Sequence, residues 1–327
     1  MSKCLGCGIS LQTTNPESLG YTKNPETQIC ERCFRLKHYG EYQNVSLNNK
    51  DYQSIIANIP STSLVIYVAD FLTLDLANIP SFNNLLLVLT KRDILPKSIK
   101  DEKIITKIKT MYPNFLDVIS ISSLKNYHLD ELYQLLIKHS HQKDIYFIGN
   151  TNSGKSTLIN KLIQNYDTSD KKANITVSMY PSTTLDKIKI QLGALTIIDT
   201  PGLIEKGNYT SILSPKELKQ ITPKKEMKPR SCQIAGEGSV LIGTYARIDY
   251  QTPEPNSFVI YAAPTVKSTF ISTQNNILKE GTKHHYKLEE QKDIVLPGLG
   301  FIKFTKPINI TIYTPNHIDT YTRDNLI

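Results

Sequence analysis

A chain of 327 residues, 39% hydrophobic and 21% charged, is long enough for about two globular domains and a small appendage. Its formal net charge of +8 tilts the surface towards polyanions, although a mildly basic, solvated surface is the plainer reading. The N-terminal "MSKCLGCGIS" lacks the apolar region of a signal peptide, and "LVIYVADFLTLDLANIP", the most apolar stretch, is broken by Asp70 and Asp75. A cytoplasmic, monomeric protein with no membrane contact is expected.

In that compartment five cysteines suit metal better than disulfides. "CLGC" supplies Cys4 and Cys7, and "CERC" supplies Cys30 and Cys33. Each C-x2-C turn aims two thiolates at one centre, and two turns complete the tetrahedral sulfur set that zinc prefers. Four thiolates leave no open position, which argues for a structural ion; a redox pair is the alternative. Residues 1–45 are therefore read as a zinc module, folded largely by its metal. Cys232 stands apart and is expected to be a buried small residue. Beyond Cys33, Arg32, Arg35, Lys37 and His38 interleave with Phe34 and Tyr39. That pattern suits stacked RNA bases as well as it suits a solvated helix end.

Short apolar runs then alternate with helix-like segments, the pattern of strands joined by helical crossovers. Strands are expected at 64–70, 85–90, 116–122, 144–150, 186–192 and 194–200, with helices at 98–112, 129–140 and 154–165. Near-continuous apolar character in four of these strands fits a mostly parallel sheet buried on both faces. Ligands of such sheets bind at the carboxyl ends of the strands.

The chemistry-bearing motifs fall at those ends. "GNTNSGKST" fits the phosphate-loop pattern G-x-x-x-x-G-K-[ST] and offers Gly149, Asn150, Asn152, Ser153, Gly154, Lys155, Ser156 and Thr157 to a nucleotide. Lys155 would neutralise phosphate oxygens, and the Ser156 hydroxyl would ligate Mg²⁺. In "IIDTPG", Asp199 is placed to hold the same Mg²⁺, and the Gly202 amide to meet a γ-phosphate. "YPSTTLD" contributes Thr184 as the candidate switch threonine on the metal, with an ordinary loop residue as the alternative.

"LLLVLTKRD" ends a strand with Thr90, Lys91 and Asp93. A carboxylate there accepts two hydrogen bonds from the guanine edge, which adenine does not offer, while Lys91 lies along the base. "SISSLKN" brings Ser122 and Ser123, whose amide region would approach the guanine carbonyl, and Lys125 to stack nearby. These base-reading motifs precede the phosphate loop, whereas most such switches run in the opposite order. Read cyclically, the usual order returns, so the domain at 46–210 is expected to be a circularly permuted P-loop GTPase.

With the cysteine pairs ahead of it, "TKRDILPKS", "YPSTTLD" and a C-terminal extension, the chain resembles the YqeH family of ribosome-assembly GTPases. The resemblance implies hydrolysis of GTP to GDP coupled to maturation of the small ribosomal subunit, with ribosomal RNA or that subunit as partner. It also implies a potassium ion beside the phosphates, held by Asn152. Leu203 stands where many switches carry a water-positioning glutamine, so slow intrinsic turnover is expected. Two departures stand out. Thr90 replaces the usual Asn, with a bond to the loop or base expected to be lost, and Ser182 replaces a Gly in the threonine loop.

Residues 211–327 are read as a β-rich domain that binds RNA or the ribosome. The lysine-dense "SPKELKQITPKKEMKPR", which reads equally as a basic linker or as a phosphate contact, precedes runs such as "SVLIGTYARIDY" and "GFIKFTKPINITIYTP". His284 and His285 are read as surface residues. Because the GTPase domain ends just after DTPG, loss of the γ-phosphate would release the segment that leads into this domain. The competing class is a P-loop enzyme acting on a small molecule. It would need a lid and an acceptor-binding acid or base, and no such set is visible.

Overall fold

Runs of Val, Leu and Ile between Leu64 and Asp199 form the strands that their composition predicts. The computed structural model describes residues 2–5, 9–16, 18, 20–39, 46–47, 49–166, 188–203 and 207–327. The chain divides into two units, one of Met1–Asp70, Ile79–Lys91 and Tyr112–Ile204, the other of Phe71–Asn78, Arg92–Met111 and Glu205–Ile327. Among the described residues no helix is long and apolar enough to cross a membrane.

In chain order the elements up to Leu203 are α1 (Glu31–Tyr39), β1 (Ser46–Leu47), α2 (Asn49–Ala57), β2 (Leu64–Asp70), β3 (Leu85–Thr90), α3 (Asp101–Met111), β4 (Phe115–Ser120), α4 (Leu129–Ser140), β5 (Asp144–Gly149), α5 (Lys155–Tyr166), β6 (Ile188–Leu192), β7 (Leu195–Asp199) and β8 (Gly202–Leu203). All but α3 belong to the first unit. Its main sheet runs β4-β3-β2-β5-β7-β6, parallel throughout except where β6 pairs antiparallel with β7. Every residue of β2 and β3 is buried, as both faces of a parallel sheet require. Edge strand β6 alternates apolar and polar residues ("IKIQL") and leads into β7 through a tight turn at Gly193 (φ 57°). On one face, Ile66, Val68, Val88 and Phe147 pack with Leu132 and Leu136 of α4 and Leu158 and Leu162 of α5. The fold is the mixed α/β, P-loop GTPase architecture read from the sequence.

The second unit is built on α6 (Pro215–Ile221) and the strands β9 (Arg230–Ile242), β10 (Ala246–Ala262), β11 (Ser268–Ile271), β12 (Thr282–Leu288), β13 (Lys292–Leu296), β14 (Gly300–Phe304), β15 (Ile308–Thr314) and β16 (Tyr321–Asp324). All pair antiparallel in one sheet. "SVLIGTYARIDY" makes the hairpin between β9 and β10. Pro253 and Pro255 lie where the β9–β10 register shifts, between Thr252 and Asn256. On its other side β10 pairs first with β15 and then with β14. Ser214 and Glu217 form a capping box that starts α6, with Pro215 in the first turn. Cys232 is buried, and burial pushes its thiol up. His284 Nε2 sits 3.2 Å from Thr314 Oγ1, and His285 Nδ1 3.0 Å from Thr311 Oγ1, so both rings are held by threonines.

Two arginines buried in this unit staple loops to the sheet. Arg247 bonds Asp249, Ser239 and the carbonyls of Thr273 and Asn275. Arg323 reaches Asp293 at 3.2 Å, the Leu74 carbonyl at 2.9 Å and the Phe71 carbonyl at 3.0 Å, with Phe301 beneath its guanidinium. Arg323→Met would leave the fully buried Asp293 without its cation. We expect a loss of about 3–5 kcal/mol in urea unfolding, against less than about 0.5 kcal/mol for exposed Lys225→Met.

Candidate nucleotide and metal sites

The sheet order sets neighbouring strand ends side by side. β4 ends at the SSLK loop, β3 at TKRD, β5 at the phosphate loop and β7 at DTPG, all at the carboxyl edge. The phosphate loop demands glycine at both ends. A Cβ on Gly149 would lie 2.3 Å from the Val68 carbonyl oxygen; Gly154 holds φ 91°, where a Cβ would press on Thr90 Oγ1 at 3.1 Å.

Lys155 opens α5 and Asp199 closes β7, and the two side chains bond each other; Lys155 also donates to the Thr200 carbonyl. Both are withdrawn from water, at 1% and 0% exposure. Burial pushes the Lys155 ammonium well below its ordinary value, with the Arg32 charge adding repulsion. Burial likewise raises the Asp199 carboxyl, and Arg32 opposes that rise. Arg32, grouped by sequence with solvent-facing RNA contacts, is in fact buried at 7% exposure, so that reading fails for this residue. Asp199 Oδ2 is buried and bonded to nothing among the described residues. An orphaned carboxylate oxygen beside a phosphate loop fits a Mg²⁺ ligand, directly or through water. Ser156 lies next to Lys155 at the start of α5; Thr184 and Ser182 lie outside the described residues.

Gly202 and Leu203 are clamped from two sides. β8 pairs in parallel with β1, Ser46 opposite Gly202 and Leu47 opposite Leu203. On the other side the Thr151 amide and hydroxyl donate to the Leu203 carbonyl at 2.8 and 3.0 Å. Nothing in the motif pattern announced the segment at 46–47 as a partner of DTPG.

On the base side, Thr90 corrects an expectation. Its hydroxyl donates to the Ser153 carbonyl of the phosphate loop and stands 3.3 Å from the Ala69 carbonyl. The shorter side chain therefore keeps a bond to the loop. Lys91, at φ 61°, donates from Nζ to the Asn152 carbonyl at 2.7 Å. Asp93 lies in the short turn Arg92–Ile94, which Arg92 braces by bonding Asp101 and the Leu95 carbonyl. Ser122 is buried, and its hydroxyl accepts the Lys125 amide at 3.2 Å, forming a tight turn that also carries Ser123.

In the N-terminal lobe the ligand atoms of Cys4, Cys30 and Cys33 lie within 4.8 Å of one another, all buried. The Cys30 amide, from the other cysteine pair, donates to Cys4 Sγ at 3.1 Å, the kind of N–H···S bond that orients a metal thiolate. Three converging sulfurs fit zinc; Cys7, the fourth ligand expected, lies outside the described residues.

A phosphate loop, a buried acid at DTPG and base-side residues on one parallel sheet define a P-loop GTPase. Residues 144–226 match the family model described as a 50S ribosome-binding GTPase. The chain is 32% identical to the protein YqeH of Bacillus subtilis, over 99% of both chains, and it belongs to the YqeH family of GTPases. It is also 26% identical to the chloroplast GTP-binding protein Brassinazole insensitive pale green 2 of Arabidopsis thaliana, over 82% of this chain and 47% of that one. Nitric oxide-associated protein 1 of Mus musculus is 26% identical over 58% of this chain and 36% of its own. The chain thus spans about half or less of these two longer relatives, and nearly all of the Bacillus one.

The protein hydrolyses GTP, and GTP, GDP and Mg²⁺ are its ligands. To meet phosphate oxygens Lys155 would have to give up its bond to Asp199, whose carboxylate would then be available to hold Mg²⁺. Asp199→Asn is expected to cut kcat by roughly a hundred-fold or more at saturating Mg²⁺, read by phosphate release. Thr90→Ala removes one hydrogen bond of about 1 kcal/mol. GDP binding by titration calorimetry should weaken about five-fold, with the guanine-over-adenine preference retained.

Proposed function

We propose that the protein is a GTP-driven assembly switch that binds ribosomal RNA or a precursor of the small ribosomal subunit. The observation that carries this reading is that one chain holds both a guanine-nucleotide site and, in its second unit, a basic, solvent-facing segment. Lys216, Lys219, Lys224, Lys225 and Lys228 are all exposed. Ile221 and Met227 are buried beneath them, and the Met227 amide bonds the Ile94 carbonyl at 2.8 Å. Lysines displayed on an anchored backbone favour a polyanion such as the phosphate chain of RNA.

In this reading residues 1–45 act as a zinc module on Cys4, Cys7, Cys30 and Cys33, 46–210 as the switch and 211–327 as the ribosome-facing domain. Lys155, Ser156, Thr184, Asp199 and Gly202 handle phosphates and Mg²⁺. Thr90, Lys91, Asp93, Ser122, Ser123 and Lys125 handle guanine. Asn152 holds a potassium ion, whose charge does for the transition state what an arginine finger does elsewhere. Leu203 cannot orient water, so turnover without the client is slow. The protein works in the cytoplasm as a monomer.

The family model's description points to the large subunit and the resemblance to the small one, so sedimentation separates them. Purified subunits are spun with the protein and a non-hydrolysable GTP analogue, GDP or no nucleotide. Small-subunit binding that depends on the analogue is the expected result, with log affinity falling as log salt rises. Binding to the large subunit alone would overturn the choice of subunit. No ribosomal binding in any state, with GTP still bound, would move the client to another RNA or protein.

A further inference from the structure

β2 ends on Asp70 and β3 on Thr90, and the two residues are cross-strand partners. Asp70 is almost wholly buried, at 3% exposure. Its Oδ2 lies 2.6 Å from Lys91 Nζ, the ammonium that also bonds the Asn152 carbonyl. Lys91 itself holds the left-handed φ of 61°, a conformation disfavoured for any residue with a Cβ. The ammonium thus links the carboxylate to a phosphate-loop carbonyl, and the Thr90 hydroxyl bonds a second carbonyl of the same loop, that of Ser153.

We infer that Asp70 is a positioning residue of the guanine-nucleotide site, whose buried carboxylate fixes the Lys91 side chain across the phosphate loop before nucleotide arrives. A free lysine would lose rotamer entropy on binding, and Asp70 has that ordering already in place. It also neutralises the ammonium, so Lys91 serves through its ordered stem and its grip on Asn152 rather than as a cation for phosphate. The benefit is the same for GDP and GTP, because neither bond of Lys91 depends on the γ-phosphate. The inference rests on the reading of Lys91 as the base-side lysine.

The test is calorimetric titration with GDP and with a non-hydrolysable GTP analogue, on the full chain and on Asp70→Asn, Lys91→Met and the double variant. Asp70→Asn should raise Kd about ten-fold for both ligands, a change of about 1.4 kcal/mol. The loss should fall on Kd more than on kcat at saturating GTP. The double variant should be no weaker than Lys91→Met alone, since the second change removes a partner already gone. Additive losses would reduce Asp70 to a structural residue at the strand end and overturn the inference. So would an Asp70→Asn Kd within two-fold of the native value while Lys91→Met is weak. A Lys91→Met variant that binds normally would instead sink the base-side reading of Lys91. If Asp70→Asn does not fold, Asp70→Glu carries the test. A carboxylate on a longer stem should weaken GDP and GTP together, and unchanged binding of both would overturn the inference.

Discussion

A pair of opposite charges with almost no access to water governs the phosphate end of the first unit. Burying Lys155 and Asp199 costs more than their attraction returns unless further bonds satisfy them. The Thr200 carbonyl satisfies part of the lysine, yet one oxygen of Asp199 is left over. A sheet selected only for stability would carry apolar side chains at these strand ends, as β2 and β3 do as far as Ala69 and Leu89. What the arrangement offers instead is a lysine and a carboxylate placed where phosphate and metal charges could take over their pairing. The apolar sheet holds that placement, because its strands are packed on both faces and cannot shift singly.

The cyclic reordering of the motifs costs this sheet little. Its core depends on which strands adjoin, and β4-β3-β2-β5-β7-β6 keeps every motif at the carboxyl edge whichever loop is cut. What the reordering changes is covalent neighbourhood. The segments leaving β2 and β3, at Phe71–Asn78 and from Arg92 onward, group with the second unit rather than the first. Arg323 holds the carbonyls of Phe71 and Leu74 there, one residue beyond the Asp70 that holds Lys91.

Much of this was legible in the sequence because it rests on local pattern. Buried parallel strands announce themselves as apolar runs, and a phosphate loop needs glycine at fixed spacing, so Gly149 to Thr157 could be placed before any coordinates. Paired cysteines bring their own geometry, and three of the four converge as expected. Pairings between distant residues carry no such mark. Thr90 looked like a lost hydrogen bond because its partner, the Ser153 carbonyl, is a backbone atom supplied by the fold. Arg32 read as a surface cation because basic and aromatic neighbours surround it in sequence, whereas burial depends on what packs over the helix. Arg247 and Arg323 sit in strands of ordinary β composition, and their partners are mostly carbonyl oxygens of remote loops.

The clamp on Gly202 and Leu203 bears on how far a change at the phosphate can travel. Hydrogen bonds of this kind are worth about 1 kcal/mol each in net terms. A γ-phosphate contact to the Gly202 amide would be charge-assisted and therefore stronger. Any displacement of Gly202 must either carry Ser46–Leu47 with it or break the ladder between them, and must do the same with Thr151. The two flanks differ in kind. Thr151 belongs to a loop pinned by glycine geometry, whereas Ser46–Leu47 is a two-residue strand downstream of α1, the helix that begins directly after Cys30.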